Sequence, residues 1–317
     1  MTRNMRAVEF DHFGGPDVLE LRDVPVPEPI STEIRVRCVA SSLNPVDVKT
    51  RRGQGVAHWQ GMPPYRLGWD VAGVVDAIGY GVTRFEVGDA VYGMPWFPRR
   101  VGTNAQFVTA PSLHFAHAPQ SIALHEAAGL PLAALTAWQS LEGIRRLATA
   151  ARPAVLVTGA TGGVGHLAVQ LAKLFGARVI AVSRVEPARD FDLTGADELV
   201  HDPGEVEPDS VDMALDLVGA ARTETLLKVL RSGGVLAAVA EGAQDEIKAG
   251  ARRRGIRVIE PLVEPNGCAL EEIARLTDTG ALHLSVDRAF NLEQIREAHR
   301  YLESRIHARG KVLLAID

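Results

Sequence analysis

The sequence has very little cysteine. Its 317 residues include two, Cys38 and Cys268, too few for a disulfide framework or a cysteine-rich zinc site. It has no apolar run near the ~20 residues that span a bilayer. Its opening stretch, MTRNMRAVEF, lacks the apolar core of a secretory signal. No excess of positive charge is present: the net charge of −5 gives no sign of a nucleic-acid or anionic-membrane surface. There is no low-complexity segment. The expectation is a cytoplasmic chain that works on a small molecule, with neither nucleic acid nor membrane as partner. Hydrophobic residues at 46% and charged residues at 23% are ordinary for a globular chain, and the length suggests two domains.

What the chain does have is a strong local pattern at residues 153–174, PAVLVTGATGGVGHLAVQLAKL. Residues 154–157 form an apolar, β-branched run of the kind buried on both faces in a parallel sheet. From His166 the apolar positions fit a largely buried helix, and Gly176 suits the left-handed residue that ends it. Strand, glycine loop and helix in that order predict a dinucleotide-binding turn. Its candidate residues are Gly159, Ala160, Thr161, Gly162, Gly163 and Val164. Gly162 would let the backbone approach a pyrophosphate, and Gly165 would let the helix pack on the strand. The free N–H groups at the helix start would hold the phosphate charge. Ala160 breaks the strict G-x-G-x-x-G spacing, and G-x-x-G-x-x-G from Gly159 fits instead.

The next predicted strand, 178–182, specifies the cofactor further. A site for NAD places an acid about 20 residues past the loop, on the ribose hydroxyls. Here Ser183 and Arg184 stand at the strand end, and no acid does. A carboxylate there would repel a 2′-phosphate, whereas Ser and Arg can bind it. NADPH is therefore the expected cofactor, with Arg189 nearby as a helper; the alternative is that Arg184 is a solvated loop residue.

Ahead of this unit, short strands and Gly/Pro turns run to about residue 119 without a long helix. A strand at 33–40 leads into S-S-L-N-P-V-D-V-K-T, where a helix should begin near Pro45. A helix is expected at 129–146. Past the glycine loop come a strand at 211–217, a helix at 223–231, a strand at 235–240 and a last strand at 257–263. Pro261 suggests an edge position for that strand, which could pair with its mate in a homodimer. A helix at 268–277, a strand at 282–290, a helix at 292–305 and a closing strand at 310–316 complete the chain.

Four stretches in this order, L-N-P-V-D, G-W-D-V-A-G-V-V-D-A-I-G, G-D-A-V-Y-G and G-A-T-G-G-V-G, resemble the medium-chain dehydrogenase/reductase superfamily over nearly the whole chain. The resemblance implies an α/β fold: a doubly wound parallel sheet of Rossmann type at 122–264, and a β-rich GroES-like catalytic domain at 1–121 and 265–317. It also implies a dimer. The family's zinc alcohol dehydrogenases carry a ligand cysteine in the segment that reads N-P-V-D here, where Asn44 stands, and a ligand histidine where Trp69 stands. Their structural zinc lobe has four cysteines, and residues 94–104 have none. The chain therefore resembles the zinc-independent branch of quinone oxidoreductases, zeta-crystallin and enone reductases, and no metal is expected. His114, His117 and His125 lack metal-site spacing.

The resemblance further places Thr136 beside the nicotinamide, the backbone at Leu217 and Val218 along the cofactor, and Arg305 near the 2′-phosphate. For Thr136 the alternative is a bond back to its own helical turn, and for Arg305 an ordinary helix-end cation. The expected reaction is hydride transfer from NADPH to a quinone or an α,β-unsaturated carbonyl. Such a transfer leaves negative charge on oxygen, so hydrogen-bond donors aimed at that oxygen are required. Asn44 is the first candidate, facing the nicotinamide. Tyr65 could donate a hydrogen bond or a proton. Lys49 could do either, or be a solvated helix lysine. Asp47 is expected to orient its neighbours or cap the turn. Trp59, Trp69, Trp96 and Phe97 could line an apolar pocket. An enoyl-thioester reductase and a non-catalytic NADPH-binding protein are the alternative readings.

Overall fold

A computed structural model describes residues 3–147, 152–184, 195–219, 223–240, 242–304 and 309–316. The chain divides into two compact units, Met1–Leu135 with Glu264–Asp317, and Thr136–Val263. The family resemblance puts the first change of unit at 121–122. It falls later because the helix Leu124–Ala127 and the first turn of Pro131–Ser140 belong to the β-rich unit. The Leu132 N–H donates to Asp70 of that unit at 2.6 Å.

The second unit is a six-stranded parallel sheet. Its strands lie side by side in the order Glu198–Val200, Arg178–Val182, Ala154–Thr158, Val211–Asp216, Leu230–Ala238 and Arg257–Ile259. The chain thus starts mid-sheet, runs to one edge, and returns to build the other half. That reversal is the topological switch point of a doubly wound fold. The strand Ala154–Thr158 is buried throughout, as its unbroken apolar run requires, and Leu156, Ile180, Ala214 and Leu236 share one core with Leu226 and Ile247 from the helices.

Several elements differ from the sequence reading. The helix expected at 129–146 is two, Pro131–Ser140 and Glu142–Leu147, with Gly143, a poor helix former, just past the break. The helix at 223 ends at Val229, and the strand Leu230–Ala238 starts at once; Gly233 there has φ +80°, a backbone that favours glycine. The last strand covers Arg257–Ile259 alone. Pro261 has no N–H to continue a ladder.

The first unit holds a seven-stranded sheet and a separate hairpin, Asn4–Glu9 with Glu20–Pro25. The long strand Glu33–Leu43 lies between Lys311–Ala315 and Asp70–Ile78, antiparallel to both, with Val312 opposite Leu43 and Asp70 opposite Ser42. The C-terminal end of the central strand is therefore flanked by the N-terminal ends of its neighbours. Those ends begin with a lysine and an aspartate. The helix Pro45–Arg51 follows directly. Among the described residues no helix is long and apolar enough to cross a membrane.

Candidate active site

The glycine loop has the geometry of a phosphate cradle. Gly159 sits at φ +62°. A Cβ on Gly165 would come within 2.1 Å of the Gly159 carbonyl oxygen, so only glycine lets the helix Gly165–Leu174 close on the strand before it. Gly162 N–H donates to Gly159 O at 2.9 Å, and Ala160 N–H to Val182 O at 3.1 Å. The N–H groups of Gly163, Val164 and Gly165 have no acceptor among the described residues. They are the free donors that an anion needs at a helix start.

Four more of the predicted cofactor residues, Ser183, Arg184, Leu217 and Val218, follow strands of the same sheet. Ser183 is buried, its hydroxyl 3.4 Å from Thr161 Oγ1. Arg184 beside it is exposed. On the other side, Val218 stands over the loop: its Cγ2 is 3.2 Å from where a Gly159 Cβ would be. Asp216 builds that turn, its Oδ1 accepting from Val218 N–H and Gly219 N–H at 3.1 Å each and from Thr158 Oγ1 at 3.0 Å. Thr158 Oγ1 accepts in turn from Leu217 N–H at 2.9 Å. These free donors and this glycine-only approach fit a dinucleotide. Thr136 is buried on the helix Pro131–Ser140. Arg189 and Arg305 lie outside the described residues.

In the first unit, Asn44 sits in a buried polar cluster. Its Nδ2 donates to Asp70 Oδ2 at 2.8 Å, and its Oδ1 accepts from the Lys311 ammonium. The orientation of the amide is fixed by chemistry, because an ammonium only donates and a carboxylate only accepts. Lys311 Nζ also lies 3.3 Å from Asp70 Oδ2. Ser42 Oγ donates to the same oxygen, and Leu132 N–H occupies Oδ1. Asn44, Asp70 and Lys311 are exposed by 3%, 0% and 2%, so the charges meet each other rather than water. Removing one partner of such a pair costs about 3–5 kcal/mol. One Nδ2 hydrogen of Asn44 is left without an acceptor among the described residues. It is the donor this cluster can offer.

Asp47 supports the turn from below. Its Oδ2 accepts from Asn44 N–H at 2.8 Å and its Oδ1 from Gly68 N–H at 3.0 Å. Burial pushes its carboxyl up to about 7, with backbone donors pulling the other way. This is the orienting role expected of it. Lys49 is half-buried on the same helix. The Tyr65 ring stacks on Phe13, with centroids 4.7 Å apart, and its backbone bridges to Phe10. Of the aromatic residues, Trp69 is core: it is fully buried, edge-on to Phe97 at 5.4 Å, with Nε1 donating to Arg99 O at 2.8 Å. Trp59 is exposed.

A zinc ion does not fit this donor set. The Asn44 oxygen is occupied by an ammonium, and the Trp69 indole nitrogen is a donor without a lone pair. Cys38 is buried in a strand and Cys268 is exposed on a helix. Among the described residues no group of His, Cys, Asp and Glu could hold a metal.

Lys311 and Asp70 were not read from the sequence as site residues. Each opens an apolar strand, and only the sheet order places both beside Asn44. A second buried cluster was missed as well. Arg51 donates to His299 Nδ1 at 3.0 Å and pairs with Glu303. Burial first, and the guanidinium second, push the His299 imidazole down to about 3.

Residues 31–129 match the alcohol dehydrogenase GroES-like domain family, and residues 190–314 match the zinc-binding dehydrogenase family. The chain is 31% identical to an NADPH-dependent alkenal/one oxidoreductase of Arabidopsis thaliana, over 98% of this chain and 80% of that one. The solved quinone oxidoreductase of Coxiella burnetii is similar at 32% identity, with a TM-score of 0.88 and coverage of 99% and 100%. A structure described as an NAD-dependent alcohol dehydrogenase is similar at 35% identity, with a TM-score of 0.85 over 99% of this chain and 100% of that one. The chain therefore belongs to the medium-chain dehydrogenase/reductase superfamily, with quinone oxidoreductases and alkenal/one oxidoreductases among its relatives.

Proposed function

We propose that this chain is an NADPH-dependent reductase that delivers hydride to a quinone or an α,β-unsaturated carbonyl without zinc. The relatives named for alkenal/one and quinone reduction support the substrate class. The observation that carries the mechanism is the Asn44 amide, held between Lys311 and Asp70 with one N–H unspent. NADPH, when bound, supplies the hydride. The N–H groups of Gly163, Val164 and Gly165 hold its pyrophosphate, and Ser183 and Arg184 its 2′-phosphate. Leu217 and Val218 border it, and Thr136 lies at its nicotinamide end. The chain's remaining task is to stabilise the oxygen that gains charge. Asn44 donates to that oxygen, a neutral donor where a metal-dependent relative needs a Lewis acid. Tyr65 and Lys49 are the further candidates for delivering or relaying a proton.

The test is NADPH oxidation across a panel of quinones, enones and enoyl thioesters, repeated with NADH, on protein purified without added metal. Turnover of quinones or enones with NADPH, in protein free of zinc by elemental analysis, is expected. Preference for enoyl thioesters would move the assignment to the thioester reductases. Zinc at one ion per chain would overturn the metal-free mechanism.

A further inference from the structure

The pairing of Lys311 with Asp70 does more than fill a core. We infer that Lys311 sets the charge at the reacting oxygen, acting through Asn44 as a positioning residue that never touches substrate. This inference rests on the proposed role of Asn44.

An acceptor on the unspent N–H would bond to the same carboxamide nitrogen that donates to Asp70. Only that nitrogen separates the Asp70 carboxylate from the oxygen being reduced. Hydride addition would break a C–H bond of the reduced nicotinamide, leaving it oxidised, form a C–H bond on the quinone or enone and move the π pair onto oxygen; a proton from water, direct or relayed by Tyr65 or Lys49, would complete the product. During the step a new negative charge grows beside an existing one. At this depth the two repel with little screening. A buried carboxylate alone would thus oppose the reaction that the amide is placed to assist.

Lys311 cancels that opposition. Its ammonium lies 3.3 Å from Asp70 Oδ2 and also donates to Asn44 Oδ1. The first contact neutralises the carboxylate. The second draws electron density from the amide and makes its N–H a stronger donor. Asp47, the other carboxyl bonded to this turn, accepts from the Asn44 and Gly68 backbone N–H groups and feels the charges of Asp70 and Lys311 only as lesser effects beside its own burial. The lysine also holds Asn44 in the donor-outward orientation if Asp70 is lost.

The test is the rate of hydride transfer in a single turnover, with NADPH and acceptor saturating, for D70N, K311M and the double variant. The rate is expected to follow the buried charge. K311M leaves a lone anion and should be about ten- to a hundred-fold slower than the parent, the scale of losing one oxyanion contact. D70N leaves a lone cation and should be faster than the parent. The double variant, neutral again, should recover about ten-fold over K311M. A pair that only supports the fold predicts otherwise: both single variants slow in step with their loss of melting temperature, whatever the sign of the remaining charge. That result overturns the inference. If K311M does not fold, D70N and the double variant still decide, since they differ only in Lys311, in its charge and its bond to Asn44. D70N should then be the faster by about ten-fold, and equal rates overturn the inference. Asn44→Ala separates the two claims. Parental turnover in that variant refutes the Asn44 role itself. A slow Asn44→Ala with rates that ignore the buried charge refutes only the role of Lys311.

Discussion

The Lys311 ammonium donates to the carboxamide oxygen of Asn44 across 267 positions of sequence. A flexible amide at the end of a strand becomes a donor of fixed direction, because its oxygen and one of its N–H hydrogens are already committed. Asn44→Ala removes the remaining donor and leaves the glycine loop untouched. Turnover of the best acceptor should fall by roughly ten- to a thousand-fold, the range for one oxyanion donor. NADPH affinity, read by fluorescence titration, should hardly change. Parental turnover would move the oxyanion contact to Tyr65.

Among the described residues, the cation expected at the 2′-phosphate is the exposed Arg184. Arg184 follows the strand Arg178–Val182 and Ser183, and among the described residues no carboxylate follows that strand directly. Arg184→Ala should weaken NADPH by roughly ten- to a hundred-fold, the worth of one charge-assisted hydrogen bond, and leave NADH nearly unchanged. Dissociation constants for both cofactors decide it. Equal affinity in the parent protein would contradict the NADPH preference, and a relative described as NAD-dependent makes that comparison necessary.

How far these sites could be read in advance depended on whether their parts are contiguous. The phosphate cradle lies within one strand–loop–helix, so its glycines announced it. The Asn44 turn was visible as L-N-P-V-D, and Asp47 acts there as expected. Lys311 was not visible. In G-K-V-L-L-A-I it looks like an exposed lysine at a strand entrance, and burial of such a residue is signalled only by its partner. That partner, Asp70, is 241 positions away. Arg51 and His299 are separated in the same way, by 248 positions. Local periodicity carries the fold elements, whereas long-range charge pairing needs the sheet order.

The parallel sheet ends in the short strand Arg257–Ile259, which pairs on one side with Leu230–Ala238. Its other edge presents backbone donors and acceptors. A second copy can satisfy them across a two-fold axis. We expect a homodimer by light scattering at micromolar concentration. Ile259→Pro, which removes a backbone N–H from that edge strand, should shift the mass towards the monomer. A monomeric parent protein would count against the pairing.

Two buried groups give the stability of the first unit opposed pH dependences. His299 is held at about 3, against an ordinary 6.5, by burial and by Arg51. Between those values the unfolded chain takes up a proton that the folded one refuses, so this contribution is full above 6.5 and is lost as pH falls towards 3. Asp47 is raised from 3.8 to about 7 by burial. Its folded form holds a proton that the unfolded chain has released, so its contribution is full below 3.8 and is lost as pH rises through 7. From about pH 4 to 6.5 the two oppose each other, and their contributions largely cancel in the parent protein. The variants separate them. In urea titrations across this window, His299→Asn should lose less stability than the parent on acidification. Asp47→Asn should lose less on alkalinisation. Each slope should change by up to about 1.4 kcal/mol per pH unit, the value of one proton. An unchanged slope in either variant would show that the group titrates near its ordinary value in the folded chain.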